Sequence, residues 1–268
     1  MDFEHATVSL IIPVHNGSRV LDRTCAAVAR YLQEDIRRDV VFVDDGSTDR
    51  SRDMLEEFQL VTPRVTVMGT KRNFGKGAAI SRGMLRARGA YRIFTDVDLA
   101  YSLTDIEAVQ TELSGGADVV IACRVLPQSR YVISPSFFHY LYTRHLMSRF
   151  FNCFVRALLL PDVRDTQAGL KGFSAHAAET IFSRVSRAGF GFDVEALYIA
   201  FANTMRVVEV PVSFRYDDEP TTVRFVQDGV KVISDVIRVR VNGWRGVYNI
   251  DSWKSEPATE LQEMVLST

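Results

Sequence analysis

Five short runs of β-branched and aliphatic residues recur over the first 125 positions: VSLIIPV (8–14), DVVFVD (39–44), RVTVMG (64–69), YRIFTD (91–96) and DVVIAC (118–123). Each run ends in a polar cluster, and such uninterrupted apolar strands suit a parallel sheet covered on both faces. Between them, residues 18–32, 47–58, 75–88 and 104–113 carry helical spacing, with Ser18, Ser47 and Thr104 as N-cap candidates. The alternation predicts an α/β fold with a Rossmann-like, mostly parallel sheet flanked by helices. After Cys123 the rhythm breaks. Residues 136–160 read as one long amphipathic helix, RDTQAGLKGF (164–173) as strand or loop, and 175–186 and 192–203 as helices. RVVEVPVSF (206–214) reads as a strand ending near Pro211, and 223–241 as a second amphipathic helix. With no repeat and no linker, residues 1–248 are expected to form a single domain, followed by a polar tail over 249–268.

Composition narrows the class without naming a chemistry. Hydrophobic residues make up 47% and charged residues 24% of the 268, which excludes a disordered or low-complexity chain. Lys plus Arg number 32 against 33 Asp plus Glu, so the net charge of -1 gives no case for a nucleic-acid partner. Cys25, Cys123 and Cys153 form no CxxC pair and the five histidines no HExxH, so neither a disulfide framework nor a zinc site is expected. A reducing cytoplasmic compartment fits. The N-terminus MDFEHATVSL lacks the basic region of a signal peptide. The longest uncharged aromatic-rich stretch, Tyr131 to Thr143, contains Pro135 and falls short of the ~20 residues a spanning helix needs.

In an open parallel sheet, ligands bind at the carboxyl ends of the strands. Asp44 and Asp45 close the second run, and Asp96 and Asp98 follow the fourth. Carboxylates spaced i, i+2 at a strand end can hold a hard divalent cation that completes its shell with water or phosphate oxygens. Either pair can instead serve turns or helix caps, evenly so for Asp45-Gly46-Ser47. KRNFGKGAAISRG (71–83) opens a helix with glycines and Lys76, where free N–H groups can meet an anion, but it matches neither a Walker A motif nor GxGxxG.

Taken in order, PVHNG (13–17), VDDGSTD (43–49), RNFGKGAA (72–79), DVD (96–98) and DTQAGLKGF (165–173) resemble the inverting family 2 glycosyltransferases of GT-A fold. RDTQAGLKGF with FDVEALYIA (192–200) is similar, more narrowly, to the dolichyl- and polyprenyl-phosphate sugar synthases, the dolichyl-phosphate β-glucosyltransferases above all. The resemblance implies a nucleotide-binding half over about 8–125 and an acceptor half over about 126–248. It implies that Pro13, His15 and Asn16 line the nucleotide end and that Asp44 or Asp45 bonds the base. Lys76 and Gly77 would lie near ribose and diphosphate, and Asp96 and Asp98, with Val97 between them, would bind Mg2+ or Mn2+. Arg124 is expected near the phosphates, and Asp165, Gln167 and Lys171 on the acceptor side. Asp193 and Glu195 would orient sugar hydroxyls or brace Arg124, although Asp193 also sits where an N-cap would. Ala100 stands where the mannosyl branch has Gln, which leans toward a UDP-sugar over a GDP-sugar.

A cationic clamp stabilises the charge that develops on a departing diphosphate. An alcohol acceptor needs a general base, for which Asp165 is the candidate; a lipid phosphate is already anionic and needs cations instead. Between Ala122 and Leu160 lie Arg124, Arg130, Arg144, Arg149 and Arg156 with no Asp or Glu, beside Phe137, Phe138, Leu141, Phe150, Phe151, Phe154 and Leu158. With the resemblance, this predicts a helix lying at the cytoplasmic face of a membrane, near anionic head groups. Helix 223–241, with Arg224, Lys231, Arg238 and Arg240, is a candidate for the same role or for a homodimer contact. The expected activity is therefore transfer of a sugar, glucose from UDP-glucose, to dolichyl or polyprenyl phosphate. The rivals are a soluble or polysaccharide acceptor, and a non-catalytic nucleotide-sugar binding module.

Overall fold

A computed structural model of the chain describes residues 7–133, 152–186, 189, 191–216 and 225–249. Its first part alternates β1 (Val8–Val14), α1 (Ser18–Glu34), β2 (Arg38–Asp45), α2 (Ser51–Val61), β3 (Val65–Thr70), α3 (Lys76–Arg86), β4 (Tyr91–Phe94), α4 (Leu103–Ser114) and β5 (Val119–Cys123). Strand β6 (Arg130–Ile133) and a short helix α5 (residues 152–158) come next. The chain continues through β7 (Lys171–Ser174), α6 (Ala175–Phe182), α7 (Phe192–Ala202), β8 (Val207–Pro211), β9 (Ser213–Tyr216) and α8 (Phe225–Trp244).

Seven strands form one sheet in the order β3-β2-β1-β4-β7-β5-β8. All neighbours are parallel except β7, which runs antiparallel to both β4 and β5. Leu10, Ile11 and Ile12 of β1 are fully buried, as required of a central strand covered on both faces. Because β7 runs antiparallel between β4 and β5, its first residue, Lys171, pairs with Phe94 at the carboxyl end of β4 and with Ile121 in the middle of β5. Strands β6 and β9 form a separate parallel ladder.

The strand runs and most helices fall where the hydrophobic pattern puts them, but the caps do not. Ser47 does not start α2, whose first residue is Ser51; its hydroxyl instead accepts the Asn16 N–H at 2.9 Å. Ser18 lies inside α1, which Gly17 precedes. Thr104 lies within α4, which Ser102 caps through a reciprocal capping box with Asp105. Asp193 is likewise not a cap: Gly191 precedes α7, and Asp193 occupies its first turn. The helix expected over 175–186 ends at Phe182. Of the long helix expected over 136–160, residues 152–158 are helical and the chain turns at 159, ahead of Pro161, whose missing N–H cannot extend a helix; 136–151 lie outside the described residues, as do 223–224 and the tail from 250. Among the described residues, no helix is long and apolar enough to cross a membrane.

Candidate active site

The carboxyl ends of β1, β2, β4 and β5 share one rim, and the residues singled out above cluster along it. Asn16 follows β1 in the left-handed region at φ +53°. Its side-chain oxygen accepts the N–H groups of Thr48 (2.8 Å) and Asp49 (3.3 Å), so it braces the loop after β2. His15 Nδ1 lies 2.9 Å from the Asp45 carbonyl, an acceptor, and is therefore the protonated nitrogen. Pro13 is buried inside β1, paired with Val43. The two adjacent aspartates of β2 diverge. Asp45 accepts the N–H groups of Phe74 (2.9 Å) and Gly75 (2.7 Å), and so builds the turn that opens α3. Gly75 needs its lack of Cβ there, at φ +104°. Asp44 accepts only a long bond from Ser47 N–H, at 3.3 Å, with an Arg52 nitrogen 4.0 Å away. Both aspartates line a small cavity with Val43, Thr70, Phe74, Ala78, Ala79 and Arg82.

Farther along the rim, opposite charges alternate. Lys76, at the start of α3 beside the buried Gly77, pairs with Asp96. Burial works against the Lys76 ammonium, but Asp96 and then Asp193 outweigh it and hold its pKa above the usual lysine value. Lys171 is fully buried and donates to Asp193 and to the Ala168 carbonyl. Burial dominates this pair, lowering the pKa of Lys171 and raising that of Asp193. Asp165, also buried, receives Arg124 through Nε at 2.7 Å, Nη2 at 2.9 Å and the backbone N–H at 3.0 Å. Although burial opposes its charge, Arg124 holds the Asp165 carboxyl below the usual carboxylate range. Arg124 is thus braced by Asp165, while Asp193, for which the resemblance implies either sugar contacts or bracing of Arg124, engages Lys171. Glu195 points away, accepting from Ser186 and Tyr248.

Residues 9–182 match the family model described as glycosyl transferase family 2. The chain belongs to this family. Among its relatives, the dolichyl-phosphate beta-glucosyltransferase of Dictyostelium discoideum is 27% identical over 255 residues, covering 91% of this chain and 77% of the relative. The enzyme of the same name from Homo sapiens is 28% identical over 255 residues, covering 89% and 77%. The glucosyl-3-phosphoglycerate synthase of Mycobacterium tuberculosis, solved with Mn2+, UDP and glucosyl-3-phosphoglycerate, superposes with a TM-score of 0.59 at 17% identity, covering 89% of this chain and 83% of that one. The protein is a family 2 glycosyltransferase of GT-A fold.

In a family 2 glycosyltransferase the acidic rim can be tested for a divalent ion. Among the described residues the rim brings the carboxylates of Asp96, Asp98, Asp165 and Asp193 together with the cations Lys76, Lys171 and Arg124, and Arg23 reaches the Asp98 carbonyl. Lys76 already satisfies one oxygen of Asp96 with positive charge. The other oxygen lies against Gly169, where a Cβ would come within 2.0 Å of it, so the backbone leaves this carboxylate room that no other residue type would. Among the described residues no three His, Cys, Asp or Glu side chains are grouped to hold a metal. Asp96 and Asp98 are oxygen donors of the kind a hard cation shares with substrate oxygens and water.

Three contributors to this rim have no signature in the sequence. The Tyr101 hydroxyl, fully buried, accepts the Gly169 N–H at 3.1 Å. Asn152 accepts the Thr166 hydroxyl at 2.8 Å and so supports the turn that carries Asp165. Thr24, on the far helix α1, reaches the backbone between Asp96 and Asp98. Each acts across 14 or more positions of chain, which no local pattern encodes. Arg144 and Arg149 lie outside the described residues.

Proposed function

We propose that this glycosyltransferase moves glucose from UDP-glucose, with inversion, to a dolichyl or polyprenyl phosphate at the cytoplasmic face of a membrane. The observation that carries the acceptor class is the state of Asp165. An alcohol acceptor needs a base whose pKa sits near the working pH. Asp165 is buried, bonded three times by Arg124, and held below the ordinary carboxylate range, so it makes a poor base. Asp193 is engaged by Lys171. A phosphate acceptor removes the requirement, because its oxygen is anionic before the reaction begins. The donor reading is supported by the names of the relatives and by the UDP in the structural neighbour.

In this reading His15, Asn16 and Asp44 form the nucleotide end, with Asp44 the better placed of the two β2 aspartates because Asp45 is committed to the turn before α3. Asp96 and Asp98 would hold Mg2+ or Mn2+, which supplies positive charge to the departing diphosphate. Lys76 adds a fixed ammonium beside it, at the opening of α3 where the helix dipole also favours an anion. Residues 1–248 act as one unit, with the acceptor side formed by Arg124, Asp165 and Lys171.

The test is to incubate the pure protein with a panel of UDP- and GDP-sugars, a polyprenyl phosphate and a soluble phosphate acceptor, and to weigh the products. A glucosylated lipid phosphate made only from UDP-glucose is the expected outcome, and a product formed on the soluble acceptor alone would overturn the lipid reading. Asp98→Ala is expected to abolish both transfer and metal-dependent UDP binding; unchanged turnover would refute the metal role.

A further inference from the structure

The segment that carries Asp96 and Asp98 is a tight turn. Leu99 N–H donates to the Asp96 carbonyl at 3.1 Å, and Leu99, not a glycine, sits at φ +49°. A side chain in the left-handed region is strained and persists only where its surroundings over-determine the backbone. Downstream the turn is tied by Ala100, whose N–H donates to Asp98 Oδ1 at 3.1 Å and whose carbonyl accepts Arg215 N–H at 2.9 Å. Upstream the hold comes from α1. The Thr24 hydroxyl donates to the Val97 carbonyl at 2.5 Å, and Arg23 Nη2 to the Asp98 carbonyl at 3.2 Å. Thr24 is fully buried and also has the Val20 carbonyl within reach at 3.0 Å, one turn back in its own helix. Its hydroxyl oxygen has a local acceptor yet lies closer to the one 73 residues away. The Val97 side chain lies beside Gly17, at the start of α1.

We propose that Thr24, assisted by Arg23, is a positioning residue for the Asp96/Asp98 pair. Neither residue is read as a ligand of ion or substrate. By fixing the successive carbonyls of Val97 and Asp98, α1 keeps the strained turn from relaxing and holds the two carboxylates at a spacing one divalent ion can share. The inference rests on the metal reading above.

Thr24→Val keeps the shape of the side chain and removes the O–H, Thr24→Ser keeps the O–H, and Arg23→Gln removes an exposed guanidinium without touching the core. Mn2+ affinity is measured on the full chain with UDP by the paramagnetic resonance of free Mn2+, alongside turnover against Mn2+ concentration. Loss of one buried hydrogen bond predicts a Kd for Mn2+ raised about tenfold in Thr24→Val. Turnover at saturating Mn2+ should stay within about twofold of wild type. Thr24→Ser is expected to match wild type, and Arg23→Gln to weaken Mn2+ by about threefold. A role confined to folding would lower stability without moving the Mn2+ dependence. If wild type binds Mn2+, Asp98→Ala does not, and Thr24→Val binds as wild type, the inference alone is overturned. If Thr24→Val does not fold, an unchanged Mn2+ affinity in Arg23→Gln overturns it. If Asp98→Ala binds Mn2+ as wild type does, the metal reading fails and the inference with it.

Discussion

A strand lysine and a helix aspartate sealed together in the interior pose the question of what their burial costs. Lys171 and Asp193 are both buried, and burial outweighs their mutual attraction, since each has its pKa moved toward the neutral form. Such a pair adds little over an apolar one of the same volume, whereas removing one partner strands the other. Lys171→Met is therefore expected to destabilise the fold by about 3–5 kcal/mol, because Asp193 loses its cation and the Ala168 carbonyl its donor. Adding Asp193→Leu should recover most of that stability, while transfer stays low because the acceptor side still lacks the Lys171 ammonium. Urea unfolding of the single and double variants measures the first effect, and product formation the second. Equal instability in both variants would show that the pair supports the fold beyond its own neutralisation. Lys171 and Asp193 were legible as motif residues, but their pairing was not: β7 inserts antiparallel and brings together positions 22 apart in the chain.

Elements were legible to the extent that burial alone defines them. The runs at 8–14, 39–44 and 118–123 are apolar because both faces of the sheet are covered, so each strand appears in the sequence within a residue or two of its place. Caps and ladders depend on partners and were misread. Thr104 looked like a cap because it is a hydroxyl residue before an apolar stretch, yet the box that forms is Ser102 with Asp105. Asp105 also explains the unforeseen β6–β9 ladder. One of its oxygens accepts Ser102 N–H and hydroxyl at 2.8 and 2.7 Å, and the other accepts Ser213 N–H, the first residue of β9, at 3.0 Å. A capping residue that also anchors a distant strand should cost more than a cap alone. Asp105→Ala is expected to lose about 1 kcal/mol from the α4 terminus and a further 1–3 kcal/mol from the Ser213 N–H left without its acceptor. Asp105→Asn, which keeps an acceptor oxygen, should lose less. Thermal unfolding of the two variants checks the order, and equal losses would mean that the carboxylate charge, not its two bonds, is what matters.

For the molecule as a whole, near-neutral charge conceals an uneven distribution. Carboxylates gather at the strand ends, while the stretch from Ala122 to Leu160 has five arginines and no acid. A net charge of -1 provides no long-range attraction to an anionic surface, so any such attraction must be local. Helix α8 adds apolar area, turning Ile237 (52% exposed) and Trp244 (73%) outward with Arg240 over the Trp244 ring. The proposed lipid-phosphate acceptor carries its phosphate at the bilayer interface, where such local charge acts. Basic residues near an anionic bilayer contribute about 1 kcal/mol each and act within a Debye length of about 8 Å at physiological salt. Neutralising Arg144 and Arg149 would thus cost about 2 kcal/mol, and reversing them more. The full chain carrying Arg144→Glu with Arg149→Glu should partition onto vesicles containing anionic lipid about thirtyfold less well or worse, and the difference should shrink as salt is raised. Transfer to a long-chain lipid phosphate in those vesicles should fall in step, while transfer to a short soluble analogue stays near wild type. Equal losses on both acceptors would assign these arginines to the site or the fold and not to the membrane.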